Sequence, residues 1–176
     1  MTPLATAAVP ILQAAQLAAE NGPALLAIEG RCGSGKSTLA QFLAGQLGCR
    51  VVHTDDFYLP LAARCANWQQ QPGANMDFTR LRNEVLQPLL RGETAHYTAY
   101  SCAAGAFLPS KPFAAAPLTI LEGSYSLHPA LQTEFAVRVF VTCPPDVQAA
   151  RLQARDVTGS ATSEICTLSV RDPVPL

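Results

Sequence analysis

Short apolar runs of strand length alternate along this chain with segments whose apolar residues recur every three or four positions. Four runs have the length of buried strands, and they lie at residues 24–28, 51–54, 118–121 and 137–141. Helical spacing marks four further segments, at residues 9–21, 39–47, 77–91 and from Pro145 onward. Because strands alternate with helices, the pattern predicts an α/β fold in which a parallel sheet has helices on both sides.

A glycine-rich turn joins the first predicted strand to the helix that follows it. Residues 30–38 fit G-x-x-x-x-G-K-[ST], the pattern of a phosphate-binding loop, and the strand–turn–helix context supports that interpretation. In such a turn several main-chain N–H groups point at one anion, and the helix N-terminus adds partial positive charge. The segment therefore predicts a nucleoside triphosphate site formed by Gly30, Arg31, Cys32, Gly33, Ser34, Gly35, Lys36, Ser37 and Thr38.

The composition favours a small-molecule partner. The 176 residues, 49% hydrophobic and 14% charged, are enough for one domain with a substantial core. The net charge of −1 comes without a basic stripe, so we expect no nucleic-acid partner. No apolar run approaches the roughly 18 residues of a membrane-spanning helix, so we expect no membrane partner. The six cysteines contain no C-x-x-C pair, which argues against structural zinc and favours the reducing cytoplasm.

Acidic residues follow the second and third predicted strands. Asp55 and Asp56 end one, and Glu122 ends the other. In parallel α/β sheets ligands gather at this end of the strands, so Ser37 and Glu122 are candidate Mg²⁺ ligands. Asp55 is the candidate base that accepts a proton from an alcohol. Turn capping by Asp55 and a solvated carboxylate at Glu122 stay open, and Asp56 is the weaker candidate because adjacent residues point opposite ways.

Several polar side chains are candidates for contacting an acceptor molecule. Asp77 could hydrogen bond two adjacent sugar hydroxyls or cap the helix that follows it, and both interpretations stay open. Tyr58 could line a pocket for an aromatic ring or belong to the core. Tyr97 lies with His96 and Tyr100 in a segment that could close over the acceptor.

Basic residues provide candidate contacts to the phosphates of a nucleotide. Lys36 can reach the outer phosphates from the loop. Arg151 and Arg155 lie one helical turn apart and could face the same phosphates or remain exposed charges. His53 is interpreted as an ordinary strand histidine rather than a ligand.

Four segments taken together resemble the bacterial uridine kinase-like branch of the P-loop kinases, a family that also includes nicotinamide riboside kinases and phosphoribulokinases. They are the loop at residues 30–38, Asp55-Asp56-Phe57-Tyr58, Asn75-Met76-Asp77 and Glu122-Gly123-Ser124-Tyr125-Ser126. The resemblance implies a three-layer P-loop NTPase sandwich with strand order 2-3-1-4. It also implies ATP- and Mg²⁺-dependent phosphorylation of a nucleoside 5′-hydroxyl.

The resemblance implies a role for four of the candidate residues. Asp55 matches the family's base, and Asp77 matches the residue that holds the ribose hydroxyls. Tyr58 matches a tyrosine near the acceptor base, and Glu122 matches the glutamate of the Mg²⁺ site. The segment Tyr100-Ser101-Cys102 departs from the family's Tyr-Asp-Trp or Tyr-Asp-Cys, which leaves the acceptor less certain.

The end of the chain departs further from the family. The sequence predicts a kinase domain at residues 1–156 and an atypical, poorly ordered tail at residues 157–176. Where the family continues with a lid, a helix and a fifth strand, this sequence looks truncated or altered. We therefore expect the fourth strand to be a bare sheet edge, and turnover to be impaired more than nucleotide binding.

Two alternatives to a nucleoside kinase stay open. The first keeps the fold and changes the acceptor to another small alcohol. The second is a nucleotide-binding protein without catalysis. In each case the expected partners are small molecules, and self-association into a homo-oligomer is left open.

Overall fold

Residues 3–158 and 167–171 are described by a computed structural model, and they form a central sheet with helices on both faces. The helices are α1 (Pro3–Glu20), α2 (Lys36–Leu47), α3 (78–90) and α4 (Pro145–Thr158). The central strands are β1 (Ala24–Gly30), β2 (Arg50–His53), β7 (Leu118–Glu122), β8 (Val137–Thr142) and β9 (Thr167–Arg171). Two small hairpins pair β3 (Ala95–Tyr97) with β6 (Lys111–Phe113) and β4 (Tyr100–Ser101) with β5 (Ala106–Phe107).

The central sheet has the order β2-β7-β1-β8-β9. The first four of these strands are parallel, so the predicted α/β class is confirmed. β7 and β8 correspond to the third and fourth strands predicted from the sequence, so the predicted order 2-3-1-4 is confirmed as well. β1 lies between β7 and β8, and its apolar residues are fully buried because helices cover both faces of a parallel sheet.

A fifth strand corrects one expectation. β9 pairs antiparallel with β8, and Val139 lies opposite Val170, so the prediction that the fourth strand is a bare edge was wrong. The sequence of β9 alternates Leu168 and Val170 with polar residues, and this short period-two pattern was overlooked because it spans only five residues. Residues 157 and 158 end α4. The rest of the predicted tail, at residues 159–166 and 172–176, lies outside the described residues.

Alternate residues of β1 supply two separate apolar layers. Leu26 and Ile28 pack with α1 and α2 on one face of the sheet. Leu25 and Ala27 pack with α3 on the other face, together with Phe57, which is fully buried. This alternation follows from the period of two in a strand, and it produces the expected three layers.

α1 begins earlier than the sequence pattern indicated. The pattern predicts a helix from residue 9, whereas α1 starts at Pro3 and runs for 18 residues. Its alanine-rich beginning has high helix propensity, which periodicity does not register because alanine is a weak apolar marker. Neither α1 nor any other helix in the described ranges is both long and apolar enough to cross a bilayer.

α3 contains a wide turn that the sequence pattern did not predict. Its parts are α-helical at Phe78–Arg80, π-helical at Leu81–Leu86 and α-helical at Gln87–Leu90. A proline such as Pro88 ordinarily bends or ends a helix, because its ring clashes with the carbonyl one turn earlier. The preceding π-helical turn widens the backbone at that point, and the helix continues to Leu90.

The turn after β7 requires a glycine. Gly123 has φ of 143°, and a Cβ atom there would overlap the Thr54 hydroxyl. That hydroxyl donates a hydrogen bond to the Ser124 carbonyl (3.0 Å), so it is held in place. The contact fixes the end of β7 against the end of β2.

We expect Gly123→Ala to lower the free energy of unfolding by about 1–3 kcal/mol, because the new methyl group must displace Thr54. The control is Gly45→Ala on the exposed side of α2, where a Cβ meets nothing within 4 Å. That change should stabilise the protein by up to about 1 kcal/mol. Urea denaturation of both variants tests this, and equal effects would contradict the assigned packing.

Candidate active site

Three neighbouring strands end side by side at the candidate site. The pairing register places Ile28 beside Glu122, and Glu122 beside His53. The phosphate-binding loop follows β1, a 3₁₀ turn at Thr54–Phe57 follows β2, and Gly123 follows β7. The groups predicted to meet at the carboxyl edge of the sheet are therefore delivered to it.

The glycines of the phosphate-binding loop allow a backbone path closed to other residues. Gly33 and Gly35 have φ of 78° and 100°, in the left-handed region. Gly30 lies against β8, where a Cβ would overlap the Val141 carbonyl oxygen. The path of the loop therefore depends on glycine at these three positions.

The N-terminus of α2 is suited to an anion. Gly35 is its N-cap and has no side chain to accept a hydrogen bond from the first turn. The first N–H groups of a helix have no intrahelical partner, so in this 12-residue helix they can bind a phosphate.

α4 supports the loop from one side. The Arg151 Nη1 group donates to the carbonyls of Gly33 (3.1 Å) and Ser34 (3.5 Å). Gln148, which sequence reasoning missed, donates from Nε2 to the Cys32 carbonyl (2.7 Å). These bonds hold three loop carbonyls on the α4 side. The side chain of Arg155 lies outside the described part of α4.

The buried carboxylate of Glu122 joins two elements of the site. It accepts a hydrogen bond from the Ser37 hydroxyl on Oε1 (2.9 Å) and pairs with His53 Nδ1 through Oε2 (2.8 Å). Hydroxyl and carboxylate oxygens are the ligands that Mg²⁺ prefers, so the pair of Ser37 and Glu122 fits that ion. His53 was interpreted as an ordinary strand histidine, but its contact places it directly behind the candidate metal ligand.

The protonation of this pair follows from its surroundings. Burial acts to raise the pKa of Glu122, but the hydrogen bonds from His53 and Ser37 and the charge of Lys36 outweigh it, so the pKa is lowered. The pKa of His53 is raised, chiefly by its hydrogen bond to Glu122. The carboxylate therefore stays ionised at neutral pH and available to a cation.

The two aspartates after β2 have separate partners. The Tyr58 hydroxyl donates to Asp55 Oδ1 (3.3 Å), whereas the Tyr97 hydroxyl donates to Asp56 Oδ2 (3.0 Å). Burial, followed by the charge of Asp55, raises the pKa of Tyr58 to about 12, so Tyr58 keeps its proton. Asp55 is exposed, as a group that receives a substrate should be, and Asp56 instead anchors the segment that contains Tyr97.

Asp77 caps the start of α3. Its Oδ1 accepts a hydrogen bond from the Arg80 N–H group (3.0 Å). The capping interpretation thus has direct geometric support. Binding of a sugar by Asp77 stays a prediction, and it would use the other oxygen, Oδ2.

Glu29 is a second residue that sequence reasoning missed. Its carboxylate accepts a hydrogen bond from the Leu127 N–H group (2.6 Å), which ties the start of the phosphate-binding loop to the turn after β7. Burial raises its pKa, against the opposing effects of that bond and of His128 and Lys36. In the sequence, only its position directly before Gly30 indicates that Glu29 belongs to the site.

The pairing of His53 with Glu122 predicts a pH-dependent stability difference between the protein and a His53→Gln variant. The folded-state pKa of His53 is raised above its ordinary value of 6.5, so its stabilisation is complete below that value. It is lost as pH rises through the raised pKa. At the acid end the lowered pKa of Glu122 means that the pair persists until pH falls through that pKa.

The difference in unfolding free energy should therefore be larger near pH 6 than near pH 9, by no more than about 1 kcal/mol for a half-exposed histidine. Urea denaturation at both pH values measures it. His96→Gln, which removes an exposed histidine of β3, is the control. A difference that grows with pH would contradict the pairing.

The described geometry agrees with comparisons to known proteins. The chain is 28% identical to cytidylate kinase from Azorhizobium caulinodans over 162 residues, covering 84% of this chain and 79% of that protein. No family model matches the chain.

Two solved structures share the fold. A "possible uridine kinase" from Bacillus stearothermophilus superposes with a TM-score of 0.61 at 18% identity, covering 84% of this chain and 91% of that one. A "putative fructose transport system kinase" from Silicibacter sp. TM1040 superposes with a TM-score of 0.68 at 25% identity, covering 85% and 81%. The chain therefore has the fold of P-loop kinases, and its structure is similar to those of a possible uridine kinase and a putative fructose transport system kinase.

Proposed function

We propose that this chain uses ATP and Mg²⁺ to phosphorylate the 5′-hydroxyl of a uridine-like nucleoside. The observation that carries the proposal is the hydrogen bond between Ser37 and Glu122. It joins the first turn of α2 to the end of β7, so a metal held there would lie beside the phosphate-binding loop. Asp55 follows the adjacent strand end, which makes phosphoryl transfer to an alcohol the best-supported chemistry.

The donor side of the proposed site is formed by the loop and its flanks. The main-chain N–H groups of residues 30–38 and the Lys36 ammonium would bind the phosphates of ATP. Mg²⁺ held by Ser37 and Glu122 would neutralise charge on those phosphates. Arg151 lies against the loop and adds positive charge, and Arg155 is assigned to the phosphates from its spacing alone.

The acceptor side depends on Asp55. Its carboxylate would accept the hydroxyl proton as the new bond to phosphorus forms. Tyr58 donates to the same carboxylate and would orient it. Asp77 would contact the ribose, and Tyr97 would contact the substrate through its ring because its hydroxyl is used by Asp56.

A sugar acceptor is the second candidate. The likeness to the putative fructose transport system kinase, with 25% identity and a TM-score of 0.68, favours it. The same donor side would serve either acceptor, since only the group facing Asp55 changes. A nucleotide-binding protein without turnover is the remaining alternative.

The reducing cytoplasm is the proposed location. The five cysteines within the described ranges are not joined by disulfides, which oxidising compartments tend to form. The proposed partners are small molecules, with self-association left open.

Asp55→Asn should lower kcat for uridine phosphorylation by about 10²–10⁴-fold, because the variant lacks the proton acceptor. Its affinity for ATP should stay within about threefold, since the loop is untouched. ATP consumption measured with uridine, cytidine and D-fructose, at saturating Mg²⁺, tests the proposal and ranks the acceptors.

Asp56→Asn is the matched control, because it changes the adjacent carboxylate, which binds Tyr97. It should lower kcat by less than about tenfold. Equal losses in the two variants would contradict the role of Asp55. ATP binding without turnover on any acceptor would favour the nucleotide-binding alternative.

A further inference from the structure

A small cavity opens between the loop before α3 and the turn after β7. Its volume is about 210 Å³, and its lining includes Trp68, Gln69, Gln70, Gln71, Asn75 and Tyr125. Among the residues that the structure describes, no acidic or basic side chain lines it. The volume is below the roughly 300–1,000 Å³ typical of pockets for drug-sized ligands, so it suits a single ring rather than a whole nucleotide.

Hydrogen-bonded turns hold the glutamine-rich wall of this cavity in place. Gln71 N–H donates to the Trp68 carbonyl (3.3 Å), and Ala74 N–H donates to the Gln71 carbonyl (3.1 Å). The buried Gly73 packs so closely that a Cβ there would lie 3.1 Å from both His128 and Phe78. These contacts hold the backbone of the wall in place, and the glutamine side chains are exposed to a ligand.

Trp68 is anchored on one side. The Arg64 guanidinium lies 4.6 Å from the ring centroid, and Arg64 Nε donates to the Leu59 carbonyl (2.9 Å). Arg64 thus covers one face of the indole and ties it to the segment after β2. A ligand ring would stack on the opposite face.

Tyr125 forms the other side and has an unusual backbone. Its φ of 65° makes it the one residue other than glycine with positive φ within the described ranges. Such a conformation is unfavourable for an aromatic residue and recurs at functional sites, where the surrounding structure enforces it. Here it places Tyr125 at the cavity, three residues after Glu122.

The cavity lies next to the candidate acceptor site. Tyr58 forms an antiparallel bridge with Met76, and the Asn75 carbonyl accepts a hydrogen bond from the Leu59 N–H group (2.8 Å). Asn75 is thus on the segment paired with Tyr58, the residue whose hydroxyl contacts Asp55. A nucleoside whose 5′-hydroxyl reached Asp55 could extend its base toward this cavity.

We propose that the cavity between Trp68 and Tyr125 binds the uncharged base of the nucleoside, stacked on an aromatic ring and hydrogen bonded by the side-chain amides of the glutamine-rich wall. This inference rests on the proposed function. Carboxamides carry both a donor and an acceptor, so they match the alternating carbonyl and N–H groups of a uracil edge. The uncharged lining is unsuited to a phosphate or a carboxylate.

Trp68 is the chain's single tryptophan, so its fluorescence reports on this cavity directly. Uridine, added to the full chain with Mg²⁺ and a non-hydrolysable ATP analogue, should change that fluorescence with the same Kd as isothermal calorimetry gives. Uracil alone should produce the change weakly, and ribose should not. A response to D-fructose instead of uridine would overturn the assignment of the cavity to a base.

The variant with Gln69→Ala, Gln70→Ala and Gln71→Ala should raise KM for uridine at least tenfold, with kcat and KM for ATP within threefold. Its thermal midpoint should match that of the Gln13→Ala control, which removes an exposed glutamine of α1. If the protein phosphorylates uridine, but uridine leaves the Trp68 fluorescence unchanged and the triple variant keeps the same KM for uridine, the cavity assignment is wrong and the proposed function stands. No binding of any nucleoside by calorimetry would overturn the proposed function as well.

Discussion

The Glu122 carboxylate is the interaction on which the rest of the site depends. It is 5% exposed, and it is stabilised there by Ser37 from the helix after the phosphate-binding loop and by His53 from β2. A buried carboxylate without such partners would be protonated or would not be buried. Because its partners come from the helix after β1 and from β2, the same contacts that keep Glu122 ionised also fix three strand ends relative to one another.

Much of the architecture could be predicted because its signals are local. The apolar run before Gly30 and the helical spacing after it define a strand–loop–helix unit. The order of the four parallel strands was predicted from the resemblance of this unit and its neighbouring segments to the uridine kinase-like P-loop kinases. Asp55 and Glu122 were predicted at one edge for the same reason. The antiparallel β9 was not predicted because its alternating pattern spans only five residues, in a segment that departs from the family's sequence.

Other parts of the candidate site depend on contacts between distant segments, which the periodicity of the sequence does not predict. His53 meets Glu122 because of the register between β2 and β7, which the sequence of neither strand specifies. Gln148 reaches the Cys32 carbonyl only because α4 packs on the phosphate-binding loop. For Asp77 the sequence allowed two roles. The structure shows the capping hydrogen bond, and the role in binding a sugar is tested only with a bound ligand.

The central claim is that the phosphate-binding loop, the pair of Ser37 and Glu122 and the Asp55 carboxylate act on one pair of substrates. A crystal structure with Mg²⁺, a non-hydrolysable ATP analogue and uridine tests it most directly. We expect Mg²⁺ to be ligated by Ser37 and by Glu122, directly or through water, with direct metal–oxygen distances of about 2.0–2.1 Å. We expect the uridine 5′-hydroxyl about 2.6–3.2 Å from Asp55. Phosphates bound away from residues 30–38, or a nucleoside hydroxyl turned away from Asp55, would contradict the account.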